Sequence, residues 1–167
     1  MKNLLEDRSS VRKFLDKEVE QEKLDFILRS AMTSPTAANQ RPWHFYVVKN
    51  KEILAELAKT SPYAGPMANA PVGIVICYDK DNMIFPSYAD IDCAIASQNI
   101  WLATEAVGLG TVMLGIAPLK ERMEGAANVL NLPDNMVAFT YFPIGYPAEK
   151  PVHQKERFEP ERIHIVE

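Results

Sequence analysis

The stretch from Ser87 to Val107 constrains this chain more than any other, being rich in alanine, apolar on most sides and free of glycine and proline until Gly108. The pattern predicts a long helix, and a helix that is apolar all round has to be surrounded by protein. With 167 residues, 47% hydrophobic and 24% charged, the chain holds apolar material for one ordinary core. We therefore expect residues 1–167 to fold as one unit around this helix, with part of the helix surface at a subunit contact.

The flanking segments read as alternating helices and strands. Leu24, Ile27, Leu28 and Ala31 recur at helical spacing while Glu22, Lys23, Asp25 and Arg29 face elsewhere, which predicts an amphipathic helix over 21–32. Ser34-Pro35 ends it, because a residue before proline is pushed out of the helical region. Trp43–Val48 is aromatic and β-branched and predicts a strand, followed by a helix over 51–59. The short apolar run Val72–Tyr78 predicts a buried central strand. Further on, the pattern predicts a strand over 111–114, a helix over 119–130 despite Gly125, and a strand over 136–144. Residues 147–167 carry prolines and dense mixed charge with little core of their own, so they are expected to form an extended arm docked on a partner.

Several classes of function lack support. A net charge of −4 and a pI near 5.5 give no overall reason to expect nucleic acid or an anionic membrane surface as partner. The first residues carry acidic groups where a secretory signal needs an apolar stretch, and no apolar run approaches bilayer-spanning length, so a cytoplasmic protein is expected. Cys77 and Cys93 lie in apolar segments without CxxC spacing and are expected to be buried free thiols. His44, His153 and His164 are far apart, no GxSxG is present, and Asp90 and Asp92 cannot share a helix face at i, i+2; metal, hydrolytic and paired-carboxylate chemistry therefore find no support. Both the GxGxxG dinucleotide fingerprint and the P-loop are missing.

Three segments remain as candidates. Arg8-Ser9-Ser10-Val11-Arg12 sets two guanidinium groups and two hydroxyls within five residues, a set suited to phosphate; taken alone, it also describes a solvated stretch with a serine helix cap. In the loop 35–43, the small residues Thr36, Ala37 and Ala38 permit close approach to a flat ring, and Asn39 offers both a donor and an acceptor; an ordinary helix-to-strand connection has the same composition. Gly108 to Gly115 is a glycine-bracketed strand whose edge could lie along a ligand, a weak signal by itself.

The order RSSVRKF, PTAANQRPWHF, SQNIWLA within the Ala-rich helix, GLGTVMLG, FPIGYP and KERF resembles the nitroreductase family of FMN flavoproteins over nearly the whole chain. The resemblance implies an α+β fold, with a mixed, mainly antiparallel sheet wrapped by helices, and an intertwined homodimer with FMN sites at the subunit interface. It further implies that Arg8, Ser9, Ser10 and Arg12 meet the phosphate and ribityl chain, and that Lys155 and Arg157 close the phosphate from the C-terminal side. Pro35, Thr36, Ala37 and Asn39 would face the isoalloxazine ring from the opposite subunit, and Met113, Leu114 and Gly115 its N5 edge. Arg41 stands where many relatives carry Gln, Ser9 where many have a basic residue, and Leu114 where some branches have an acidic one.

The activity implied is electron transfer from NAD(P)H to a small flat acceptor, a quinone or nitroaromatic, by a ping-pong cycle, with no side chain needed as catalytic acid or base because the cofactor carries the chemistry. The chain is short for the family and lacks the long covering helices of larger members, so an open, promiscuous site is expected. Tyr63–Asn69 and Phe85 are candidates for its rim. A flavin-binding storage, sensing or flavin-consuming protein is the alternative, and a non-flavin dimeric scaffold a second.

Overall fold

The computed structural model describes residues 4–150, 152 and 157–167. Five helices, α1 (Leu4–Asp7), α2 (Gln21–Met32), α3 (Lys51–Lys59), α4 (Ala89–Ala106) and α5 (Lys120–Leu130), alternate with strands β1 (Trp43–Val48), β2 (Val72–Asp79), β3 (Gly110–Thr111), β4 (Leu114–Gly115) and β5 (Met136–Gly145). The sheet runs β1-β2-β5-β3, with β4 also on β5, and every described pairing is antiparallel.

Why β2 reads as an unbroken apolar run is visible in its two faces. Successive strand residues point to opposite sides, so Ile74 and Ile76 pack with Leu24, Ile27 and Ile100 from α2 and α4. Val75 and Cys77 pack instead with Leu54, Leu57 and Ala126 from α3 and α5. Both sheet faces are thus covered by helices, and β2, between β1 and β5, is the central strand that its composition predicts. Asn50 starts α3 by accepting hydrogen bonds at its side-chain oxygen from the N–H groups of Glu52 at 2.9 Å and Ile53 at 3.1 Å.

Two expectations need correction. The strand expected over 111–114 is two short pieces, β3 and β4, in one register on β5. Continuing the pairs Thr111–Ile144 and Leu114–Tyr141 places Val112 opposite Pro143, which has no N–H to donate. The Pro143 carbonyl accepts instead from the Thr111 hydroxyl at 2.6 Å, and the ladder breaks there. The long helix starts at Ala89, after a 3-10 turn at Pro86–Tyr88, and it is not fully surrounded within one chain. Ile91, Ala94, Gln98 and Ala106 are exposed at positions that share one stripe of the helix.

Both cysteines are free and buried, and burial pushes the Cys77 thiol up to about 12 and raises that of Cys93 as well, which suits inert packing groups. No helix among the described residues is long and apolar enough to cross a membrane, and no group of His, Cys, Asp and Glu among them could hold a metal ion. Residues 157–167 make one 3-10 turn at Pro160–Arg162 and are exposed throughout.

Candidate functional site

The N-terminal segment threads between two parts of the sheet. Val11 N–H donates to the Thr111 carbonyl at 2.9 Å, Leu15 N–H to the Tyr146 carbonyl at 2.9 Å, and Ala148 N–H to the Lys13 carbonyl at 3.0 Å. Gly110 makes this approach possible, because a Cβ there would stand 2.6 Å from Val11 Cγ2. Residues 8–13 are thereby brought beside both 111 and 146–148. An open cleft of about 450 Å³ lies at the junction, lined by Ser10, Val11, Arg12, Lys13, Glu149 and Lys150 among others.

Arg8 and Ser9 sit at the inner end of that segment. The Arg8 guanidinium lies 4.2 Å from the centroid of the Trp101 ring, and Trp101 Nε1 donates to the Ser9 carbonyl at 3.2 Å. Arg8 Nη1 and Ser9 Oγ are both buried without a hydrogen-bond partner. Leaving such groups unmade costs about 1–3 kcal/mol each, and two of them directly before Ser10 and Arg12, which line the cleft, suit an oxyanion-bearing ligand. The donor set of Arg8, Ser9, Ser10 and Arg12 fits the phosphate of a nucleotide such as FMN.

The second candidate segment is a strained loop. Thr36 leads into a 3-10 turn over Ala37–Asn39, and Ala38, Asn39 and Arg41 hold positive φ of 48°, 54° and 46°. Each left-handed residue other than glycine costs about 1–2 kcal/mol, and such strain persists only where the surroundings hold it and clusters at functional sites. The loop is held by Arg41 N–H donating to Thr36 Oγ1 at 3.1 Å and by Ala37 N–H donating to Asp92 Oδ1 at 3.0 Å. Pro35 and Asn39 are exposed. Asp92 holds this loop from the start of α4, whereas Trp101, further along the same helix, holds Arg8 and Ser9. No described hydrogen bond or ion pair joins residues 35–39 to residues 8–12 within one chain.

Along the sheet edge, Met113 falls in the gap between β3 and β4. Leu114 is buried, its carbonyl accepting from the Thr140 hydroxyl at 2.9 Å. Gly115 is exposed with open space where a Cβ would stand, and its carbonyl accepts from Arg122 at 3.5 Å. Lys155 lies outside the described residues, and Arg157 is exposed. Of the suggested rim residues, Tyr63 is 73% exposed with the Arg122 guanidinium 5.7 Å from its ring centroid, and Phe85 is 49% exposed. Trp101, Lys13, Lys150, Gln40 and Asp92 escaped the sequence reading. For Asp92 the sequence carries a partial signal, a carboxylate in a helix that is apolar on most sides, but its partners lie in a distant segment.

The segment that carries residues 8–13 is also tied to α2 through Tyr146. Its hydroxyl donates to Glu20 at 2.6 and 2.8 Å and accepts from Lys23 Nζ at 2.6 Å, while Lys17 Nζ lies 3.7 Å from its ring centroid. The Tyr146 hydrogen bond is the main cause of a Glu20 carboxyl lowered from 4.5 to about 2. A depressed folded value means that the stabilisation is present above the unfolded value and is lost as pH falls through the folded one. The difference in melting temperature between wild type and Tyr146→Phe is therefore expected to shrink as pH falls from 4.5 towards 2. Thermal melts along that range check it, and a constant difference would detach Glu20 from the contact.

Comparison with known proteins places this geometry. The sequence profile described as "Nitroreductase family" matches residues 5–61 and 59–146. A Methanothermobacter thermautotrophicus protein named "Putative NADH dehydrogenase/NAD(P)H nitroreductase" is 42% identical over 161 residues, 96% of this chain and 84% of that one. Among solved structures, "Putative NADH Oxidase" of Clostridium acetobutylicum superposes with a TM-score of 0.95 at 35% identity, covering 99% of both chains. An "FMN-dependent Nitroreductase" of Clostridium difficile superposes with a TM-score of 0.92 at 28% identity, covering 100% of this chain and 99% of that one. Helices on both faces of an antiparallel sheet, a profile that spans the chain to the end of β5 and a close relative matched over nearly its whole length lead to one assignment: this chain belongs to the nitroreductase family.

Proposed function

We propose that the chain binds FMN as a homodimer and works as an NAD(P)H-dependent oxidoreductase on quinones, nitroaromatics and similar flat acceptors. The observation that carries this reading is the pair of buried unpartnered atoms, Arg8 Nη1 and Ser9 Oγ, in the segment that continues into the cleft residues Ser10 and Arg12. FMN would supply the redox chemistry, hydride and electron transfer between a nicotinamide and the acceptor.

This chain's own residues bind and orient. Arg8, Ser9, Ser10 and Arg12 would hold the phosphate and ribityl chain, and Lys155 and Arg157 would close on the phosphate from the C-terminal side. Met113, Leu114 and Gly115 would offer backbone to the ring, and the space beside the Gly115 Cα is open. Pro35, Thr36, Ala37 and Asn39 approach from the second subunit, which is consistent with α4 holding that loop and residues 8–9 at different points along its length. We also read the whole chain as one folding unit.

The visible spectrum of the purified protein, before and after each nicotinamide is added, tests this function. A flavin spectrum that bleaches with NADH or NADPH and returns with a quinone is expected. A colourless protein would overturn the cofactor assignment, and bleaching without reoxidation by any acceptor would move the reading to flavin storage, sensing or consumption. Because no long cover stands over the ring in this reading, menadione, a benzoquinone and a nitrofuran are all expected to turn over. Strict activity on one of them would mean a selective pocket.

A further inference from the structure

Asp92 is 1% exposed, and both of its oxygens are engaged. Oδ1 accepts from Ala37 N–H at 3.0 Å and Oδ2 accepts from Gln40 Nε2 at 2.7 Å. The Gln40 amide in turn meets the Phe85 backbone on both sides: Oε1 accepts from Phe85 N–H at 2.9 Å and Nε2 donates to the Phe85 carbonyl at 3.2 Å. A polar relay thus joins the first turn of α4, the strained loop and the segment that carries Phe85. Its polarity is fully determined. Two donors converge on residue 92, so only a group with two acceptors satisfies both. Reversing the Gln40 amide would set oxygen against the carboxylate and N–H against N–H at Phe85.

The parts joined by this relay differ in character. The loop holds three non-glycine residues at positive φ and needs an external clamp. The Phe85 and Tyr88 rings, both 49% exposed, stand edge to face with centroids 6.3 Å apart and leave ring surface free for a flat molecule. We propose that Asp92 is a positioning residue which, through Gln40, locks the loop 36–41 and the Phe85–Tyr88 pair into one wall, and that this wall sets the selectivity among flat, electron-poor acceptors. The proposal rests on the reading of the loop as facing the flavin.

Three variants test it. Asp92→Asn puts a donor where an acceptor is required. Gln40→Ala leaves the Asp92–Ala37 bond and the Asp92 carboxylate in place while removing the Gln40 bonds to Asp92 Oδ2 and to Phe85, which keeps the test open should Asp92→Asn fail to fold. Asp92→Asn with Gln40→Glu reverses the polarity and can remake the bonds to Ala37 N–H, between residues 92 and 40, and to Phe85 N–H. Amide hydrogen exchange at Phe85 is expected to rise roughly tenfold in both single variants and to return towards wild type in the double variant. The ratio of kcat/KM for menadione over a nitrofuran is expected to change at least about fivefold in both single variants and to recover in the double one. An unchanged ratio in a folded single variant overturns the proposal, even if melting temperature falls, as does a double variant no closer to wild type than Asp92→Asn. If the wild type binds no FMN, the FMN reading fails by itself. Exchange at Phe85 then decides the clamp alone: a rise in Gln40→Ala sustains it and no change overturns it.

Discussion

Arg12→Ala protein is expected to bind FMN roughly ten- to a hundredfold more weakly than wild type, and Arg157→Ala to lose a similar amount. In the proposed site each variant would remove a charge-assisted hydrogen bond to phosphate, which typically contributes about 1.5–3 kcal/mol, and each 1.4 kcal/mol is a factor of about ten in affinity. Arg12 lines the cleft at its open side, so its removal takes away charge without disturbing the packed segment behind it. Arg8 is different, since its guanidinium stacks on Trp101 and buries one unpartnered nitrogen. Arg8→Lys keeps the charge but loses the planar donor fork and the stacking, so it too is expected to weaken binding. Equilibrium titration of apoprotein with FMN, followed by flavin fluorescence, measures all three. Unchanged affinity in Arg12→Ala and Arg157→Ala would remove both residues from the phosphate site.

The second large effect concerns assembly. One chain leaves Ile91, Ala94, Gln98 and Ala106 of α4 uncovered, together with Phe26 and Met32 of α2. The terminal residues Phe158, Ile163, Ile165 and Val166 are exposed as well, between 57% and 94%. Apart from Gln98 these side chains are apolar, and so much exposed apolar surface on a small domain is the mark of a surface meant to be covered. If a second copy covers it, Ala94→Arg buries an unpaired charge at the centre of the α4 stripe, at a cost of about 3–5 kcal/mol. That variant is expected to sediment as a monomer at low micromolar concentration and to lose FMN, while the melting temperature of the wild type falls on dilution. A folded wild-type monomer with full FMN affinity would rule out a site shared between subunits.

Local chemistry determined a good deal of this protein. Periodicity placed α2 and α3 within their observed bounds, because an amphipathic stripe and a following proline or capping asparagine are properties of neighbouring residues. The continuous apolar run of β2 was legible as a central strand because a strand covered on both faces has no polar side to show. The cluster of two guanidinium groups and two hydroxyls at residues 8–12 was legible as a set suited to phosphate, but the segment alone also describes a solvated stretch, and the phosphate role proposed for it comes from the family resemblance.

Other features were settled only by residues distant in sequence. The break in the sheet edge arises from Pro143, which stands opposite Val112 and lacks an N–H, and no local pattern around residues 111–114 contains that proline. The left-handed backbone at Ala38 and Arg41 runs against the preference of those residues and persists under a carboxylate 55 positions from Ala37. Asp92 illustrates the difference most clearly. Its spacing from Asp90 spoke only to whether the two carboxylates share a helix face, whereas its partners, Ala37 and Gln40, come from another segment brought alongside α4 by packing. A sequence specifies which groups can form hydrogen bonds, but which of them meet in the dry interior is decided by the tertiary fold, because only burial makes an unmatched donor or acceptor costly enough to dictate the partner.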